Sequence, residues 1–258
     1  MSYYSTSAVV ALVFAGGSGE RMGNGGILPK QFIEVEGVPI LVHTLRRFQE
    51  SSGVDMIYVV LPQAWVEHGL NLVTQYQIDK VVRIVPGGRT ALESIFNGLT
   101  QIMEDGVAED SLVMIHDGVR PIINHQLIET SVTTAMNQGN AISCIPAFET
   151  VALKRESGDL VETVVDRHRA YVLQAPQTFR LGAVYNINVR AQLDGKMGDF
   201  VDQANMQAHY GQELHLVEGL RGNVKITIPD DVRYFTYLVR SGEYQNIVAV
   251  PTIMKQAA

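Results

Sequence analysis

The stretch from Val9 to Phe32, VVALVFAGGSGERMGNGGILPKQF, gathers the residue types that phosphate chemistry needs. An apolar, β-branched run ends at Ala15-Gly16-Gly17-Ser18-Gly19. Arg21 follows at once, and Lys30 stands shortly after in Pro29-Lys30-Gln31. A buried strand that feeds a glycine-rich turn exposes several backbone N–H groups, and such a nest binds phosphate oxygens. Arg21 adds a planar two-pronged donor and Lys30 a mobile point charge. Glycines alone would indicate only an ordinary strand-to-helix turn; with both cations, the combination suits a nucleoside triphosphate whose phosphates change hands. A Walker A loop is excluded because no Gly-Lys-Ser/Thr tripeptide occurs. A dinucleotide fingerprint is excluded because its third glycine, Gly23, falls one place late.

Four further polar clusters follow apolar runs, where ligands of open parallel sheets bind. Pro86-Gly87-Gly88-Arg89-Thr90 leads to Ser94, with Thr90 and Glu93 spaced as a capping box. His116-Asp117-Gly118-Val119-Arg120-Pro121 offers a carboxylate for sugar hydroxyls or a magnesium ion, or else an ion pair with Arg120. His116 is expected to pack or orient the loop and not to act as a general base. Asp166-Arg167 precedes Gln174-Ala175-Pro176-Gln177-Thr178-Phe179, and an arginine so placed reads by itself as a surface side chain. Gly222 to Asp231 puts Lys225 between β-branched residues, so its stem is expected along a buried strand with its ammonium on an anion. Asp230 is expected to cap the final helix.

Together these strings resemble the sugar-phosphate cytidylyltransferases, namely the 2-C-methyl-D-erythritol 4-phosphate enzymes and their ribitol-5-phosphate relatives, from about Val9 to about Val239. The resemblance implies a Rossmann-like nucleotidyltransferase sheet and attack by a polyol phosphate on the α-phosphorus of CTP. It assigns catalysis to Arg21, Lys30 and Lys225. CTP would contact Phe14, Ala15, Gly16, Gly17, Ser18, Gly19, Gly87, Gly88, Ser94 and Asp117. The acceptor would contact Asp117, Arg120, Asp202 and Lys225, with Thr150 and Arg167 reaching over from a partner subunit. Mg2+ would ride on the CTP phosphates, its protein ligands unassigned. Ala91, Gly118, Ala175 and Val201 depart from the family pattern, which has Arg, Ala, Thr and Thr there. The Trp65-Val66-Glu67-His68 stretch, Val119, and the long spacer between Arg21 and Lys30 are similar to ribitol-phosphate enzymes. D-Ribitol 5-phosphate is therefore the expected acceptor and 2-C-methyl-D-erythritol 4-phosphate the alternative.

The elements that must position these residues follow from periodicity. Strand-like runs at Ala8 to Phe14, Met56 to Leu61, Val81 to Val85, Leu112 to Ile115 and Ala141 to Ile145 alternate with amphipathic segments at Pro39 to Gln49, Thr90 to Met103 and Asn124 to Asn137. That alternation predicts an α/β fold with a mostly parallel sheet. Thr150 to Tyr171 breaks the rhythm with a hairpin about a Glu-Ser-Gly-Asp turn, either an edge elaboration or a gripping arm, and the resemblance implies a dimerisation arm on a single domain over 1–258. Helices at Leu181 to Gln192, Val201 to Tyr210 and from Pro229 follow, with strands at Leu214 to Val217 and Val224 to Ile228.

The formal net charge of -7 argues against a general nucleic-acid binder. The single cysteine, Cys144, lies in an apolar run and is expected in the core. No basic leader and no membrane-length apolar stretch occurs, so a soluble cytoplasmic protein is expected, with no nucleic acid or membrane as partner, and the resemblance implies a homodimer with arm-shared sites. A nicotinamide dehydrogenase is disfavoured by the misplaced glycine. A non-catalytic scaffold would leave Arg21, Lys30, Arg167 and Lys225 without a purpose.

Overall fold

The computed structural model describes residues 7–16 and 28–249. The first half runs β1 (Val9–Phe14), the short pair β2 (Glu34–Val35) and β3 (Val38–Pro39), α1 (Ile40–Gln49), β4 (Met56–Leu61), α2 (Val66–Gln75), β5 (Val81–Pro86) and α3 (Ala91–Glu104). It continues with β6 (Leu112–Asp117), α4 (His125–Gln138), β7 (Asn140–Pro146), and the hairpin β8 (Ala152–Lys154) and β9 (Val161–Val164). The last part is β10 (Tyr171–Arg180), α5 (Leu181–Leu193), α6 (Gln203–His209), β11 (Leu216–Glu218), α7 (Pro229–Arg240) and α8 (Glu243–Ala249).

Seven strands form one sheet in the order β11-β7-β10-β6-β1-β4-β5. Every pairing is parallel except those of β10, which runs against both β6 and β7. The α/β expectation with a mostly parallel sheet therefore holds. β1 shows why its run is continuously apolar: Ala11 and Val13 face α1 through Leu41, Leu45 and Phe48, while Val10 and Leu12 face α3 through Leu92, Ile95 and Leu99. A strand covered on both faces has no polar side to spare. Thr90 and Asn124 cap α3 and α4, each accepting a backbone N–H three residues on.

Two expectations are corrected, and one strand was missed. Val224 to Ile228 is not a strand. It is an extended strap tied by Ile226 N–H to Val119 O (2.9 Å), and its alternation records Ile226 packing with Val119 and Phe235. The cap of α7 comes from Asp231, whose Oδ2 accepts the Thr227 and Ile228 amides, while Asp230 pairs with Arg233. β10 was not anticipated at all; its register slips between Leu173 and Gln177, where Pro176 has no N–H to give.

Between β7 and β10, β8 and β9 pair only with each other. All of their residues are exposed. Gly158 takes the positive φ that the turn requires (+79°).

Candidate functional site

The carboxyl end of β1 is held on three sides. Phe14 O accepts from Gly118 N–H (2.8 Å), Ala15 N–H donates to Val60 O (2.8 Å), and buried Gln31 donates through Nε2 to Ala15 O (2.7 Å). Gln31 belongs to the one-turn 3-10 helix Lys30–Phe32, which starts after Pro29. The Phe32 ring packs 4.9 Å from Trp65 and 4.7 Å, edge on, from His68. Lys30 is thus carried on a turn pinned to the strand end by Gln31 and to the start of α2 by Phe32. Gly17, Ser18, Gly19 and Arg21 lie outside the described residues.

Ser94 joins two loops. Its Oγ donates to Thr90 O (2.8 Å) and accepts from Gly88 N–H (3.1 Å). A Cβ on Gly16 or on Gly87 would stand 2.9 Å from that oxygen, so both positions need glycine for the approach. Ser94 therefore sets the spacing between the β1 loop and the β5 loop. Glu93 does not close the expected capping box on Thr90 alone; its carboxylate reaches the Arg89 amide (2.7 Å).

Asp117 is buried at the end of β6, and two cations meet it. Lys225 Nζ lies 2.6 Å from Oδ1 and Arg120 Nε 2.8 Å from Oδ2. Burial opposes the charge, but Lys225 and Arg120 outweigh it and hold the carboxyl below its ordinary value. Arg120 also donates through Nη1 to Asn223 O (2.7 Å), which fastens the strap to β6. Beside them His116 is fully buried and its Nε2–H donates to Arg120 O (3.0 Å). Burial first, with Arg120 and Lys225 nearby, lowers its pKa to about 4, so at neutral pH it is an uncharged brace for the loop.

A cavity of about 200 Å3 opens beside this group. Phe14, Asp117, Arg120, Asp202 and Lys225 line it together with Gln174, Ala175, Gln177 and Val201. The cavity thus unites five of the residues that the resemblance assigns to the site, with the departures Ala91, Ala175 and Val201 also in its lining. Lys30, Gly87, Gly88 and Ser94 stand outside its lining, and so do Thr150 and Arg167. Gln174 and Gln177 were missed as site residues: within the QAPQTF string nothing tells an inward glutamine from a ladder position.

The sequence model of the family described as 2-C-methyl-D-erythritol 4-phosphate cytidylyltransferase (IspD) matches residues 9–241. The chain belongs to this cytidylyltransferase family. A ribitol-5-phosphate cytidylyltransferase of Streptococcus agalactiae serotype Ia is 39% identical over 92% of this chain and 98% of its own. One of Vibrio parahaemolyticus is 38% identical over 91% and 97%. A 2-C-methyl-D-erythritol 4-phosphate cytidylyltransferase of Geotalea uraniireducens is 37% identical over 87% and 93%. Among solved structures, the Francisella tularensis 2-C-methyl-D-erythritol 4-phosphate cytidylyltransferase superimposes with a TM-score of 0.72 at 27% identity, over 90% of this chain and 99% of that one. The Anaerococcus prevotii 4-diphosphocytidyl-2C-methyl-D-erythritol synthase shares the fold with a TM-score of 0.76 at 22% identity, over 91% and 96%.

For this cytidylyltransferase, the two threonine-to-apolar departures fall on the cavity: Ala175 is buried in its wall and Val201 is exposed at its rim. Thr150 and Arg167 are exposed at the base of the arm, Arg167 in a one-turn helix that Asp166 caps. Among the described residues no three His, Cys, Asp or Glu side chains gather as a metal site.

Proposed function

We propose that this chain, as a single catalytic domain, transfers the cytidylyl group of CTP to the phosphate of D-ribitol 5-phosphate, giving CDP-ribitol and pyrophosphate. A phosphate oxygen of the acceptor attacks the α-phosphorus, and the bond to the bridging oxygen of pyrophosphate breaks. The acceptor is already ionised at neutral pH, so no general base is required, in keeping with a His116 that is enclosed and neutral. The observation that carries the reading is the cavity where Lys225 and Arg120 stand on Asp117 at the strand ends. Two cations beside a cavity rich in hydrogen-bonding side chains suit an anion with a polyol tail.

In this reading Lys30 and Arg21 take the triphosphate and the charge that develops as pyrophosphate leaves, and Lys225 takes the neighbouring phosphates. Phe14, Ala15 and Gly16 to Gly19, with Gly87, Gly88 and Ser94, cradle CTP. Asp117 and Arg120 serve both substrates, and Asp202 receives acceptor hydroxyls. Both Asp117 oxygens are taken by cations, and among the described residues no three His, Cys, Asp or Glu side chains gather, so a Mg2+ ion would be held chiefly by the CTP phosphates. When bound it would offset the charge of the triphosphate. The enzyme works as a soluble cytoplasmic homodimer whose arms lend Thr150 and Arg167 to the partner's site. No helix among the described residues is long and apolar enough to cross a membrane.

The choice of ribitol rests on the 39% and 38% identical relatives and on Ala175 and Val201, which supply no hydroxyl. The alternative, 2-C-methyl-D-erythritol 4-phosphate, is favoured by the matching family model and by relatives at 37%. Pyrophosphate release from CTP with each acceptor at equal concentration tests this. Faster release with the methylerythritol phosphate reverses the acceptor assignment, and release with neither ends the transferase reading.

A further inference from the structure

We infer that Gln177 is a positioning residue that aims the Asp202 carboxylate at the hydroxyl chain of the acceptor and thereby sets which polyol phosphate is accepted; this rests on the cytidylyltransferase reading above. Gln177 and Asp202 both line the cavity. The Gln177 side chain donates through Nε2 to Asp202 Oδ2 (2.9 Å), and its Oε1 accepts the Ala204 amide (2.9 Å). The second bond fixes the first. A backbone N–H cannot accept, so the amide oxygen must face Ala204 and the NH2 group must face Asp202. α6, which carries Ala204, is itself anchored by a reciprocal amide pair between Gln203 and Asn188, at 2.9 Å each way.

The two carboxylates of the cavity are consequently different receptors. Asp117 meets a cation on each oxygen. Asp202 meets only neutral donors, Gln177 on Oδ2 and the Asn205 amide on Oδ1 (2.8 Å), and among the described residues it makes no ion pair. A carboxylate oxygen has two lone pairs, so each Asp202 oxygen keeps one for a hydroxyl donor. Its uncompensated charge repels phosphate. The cavity is therefore polarised: the acceptor's phosphate lies toward Lys225 and Arg120 and its free hydroxyls toward Asp202. Gln177 acts through Asp202, because the bonds to Asp202 and Ala204 fix its amide group between them.

The test compares kcat/KM for D-ribitol 5-phosphate with that for a five-carbon polyol phosphate lacking the terminal hydroxyl. A site that hydrogen-bonds a hydroxyl rejects the analogue without it, so the wild type should prefer the full acceptor by about tenfold or more. Gln177→Met keeps the length and removes both bonds. Gln177→Glu keeps an acceptor for the Ala204 amide but faces Asp202 with an oxygen. In both variants the preference should shrink to about twofold or less, through a raised KM for the hydroxylated acceptor, with the KM for CTP unchanged. If Gln177→Met fails to fold, Gln177→Glu decides alone. A folded variant that still discriminates as the wild type does, or that loses the same factor on both acceptors, overturns the positioning role. A wild type that transfers to neither acceptor overturns the proposed function, and this inference with it.

Discussion

At Asp117 two cations converge on one carboxylate whose own burial opposes its charge, and the strap, the β6 end and the cavity wall are fastened together there. Lys225 and Arg120 enter the site already oriented, so little reorganisation is left for the reaction. In the proposed reaction Lys30 and Arg21 would have a different task, meeting charge that grows as the bond to pyrophosphate breaks. Lys30→Ala and Arg21→Ala should each lower kcat by about a hundredfold or more, as the loss of an electrostatic donor does. A rise in the KM for CTP with kcat preserved would assign them to ground-state binding instead. His116 carries a pH signature. In the unfolded chain it titrates near 6.5, and in the folded chain burial holds it at about 4. Its folded pKa is depressed and the charged form is the acid, so the unfolded chain binds the extra proton as pH falls. Stability should thus be full above about pH 7 and drop by roughly 2 kcal/mol between pH 6.5 and 5. Asp117 adds its own loss as pH falls from the ordinary carboxylate value through its lowered one. His116→Gln should show a smaller fall in Tm from pH 7 to pH 5 than the wild type, and an equal fall would remove the assignment. The acid at the strand end, the glycine loops and Lys225 could be read in the sequence as local strings. That Lys225 meets Asp117, or that Gln177 meets Asp202, could not, because each pair is joined only by the folding of distant segments.

Among the elements, those buried on both faces or carrying a cap declared themselves. β1, β4 and α3 were legible because a two-faced strand must be apolar throughout and a capped helix states its own start. β10 was hidden by Pro176, which ordinarily argues against a central strand and is accommodated here by the slip in register. The strap from Val224 to Ile228 misled in the opposite sense. Its alternation is real, but it answers to a hydrophobic patch around Phe235 and not to a ladder. Ser94 shows how one side chain couples two such elements. Ser94→Ala removes the acceptor for Gly88 N–H and should cost about 1 kcal/mol of stability. If the two loops cradle CTP as proposed, it should also raise the KM for CTP severalfold while kcat changes little. Steady-state kinetics with calorimetry on the same sample checks both numbers. An unchanged KM for CTP would place the nucleotide away from this junction.

For the whole molecule, the hairpin of β8 and β9 leaves Leu153, Val161 and Val164 in solvent, with Leu160 beside them and Phe148 and Tyr171 at its base. So much exposed apolar surface on a two-stranded ribbon marks an interaction site. Thr150 and Arg167 sit at the same base and stay out of the cavity of their own chain. A closed two-fold dimer would cover the ribbon and bring those residues to the partner's cavity, giving two equivalent composite sites. The arrangement predicts complementation. Arg167→Ala chains and Lys30→Ala chains should each be nearly inactive alone. In an equal, randomly exchanged mixture about half the dimers contain one chain of each kind, and one of the two sites in such a dimer receives both intact residues. Activity should therefore recover to about a quarter of the wild-type level, from that half of the dimers with half of their sites intact. Native mass spectrometry on the same mixture establishes that mixed dimers have formed. Mixed dimers with no gain over the separate variants would show that Arg167 serves its own chain, and the arm would then be a dimer contact without a part in the site.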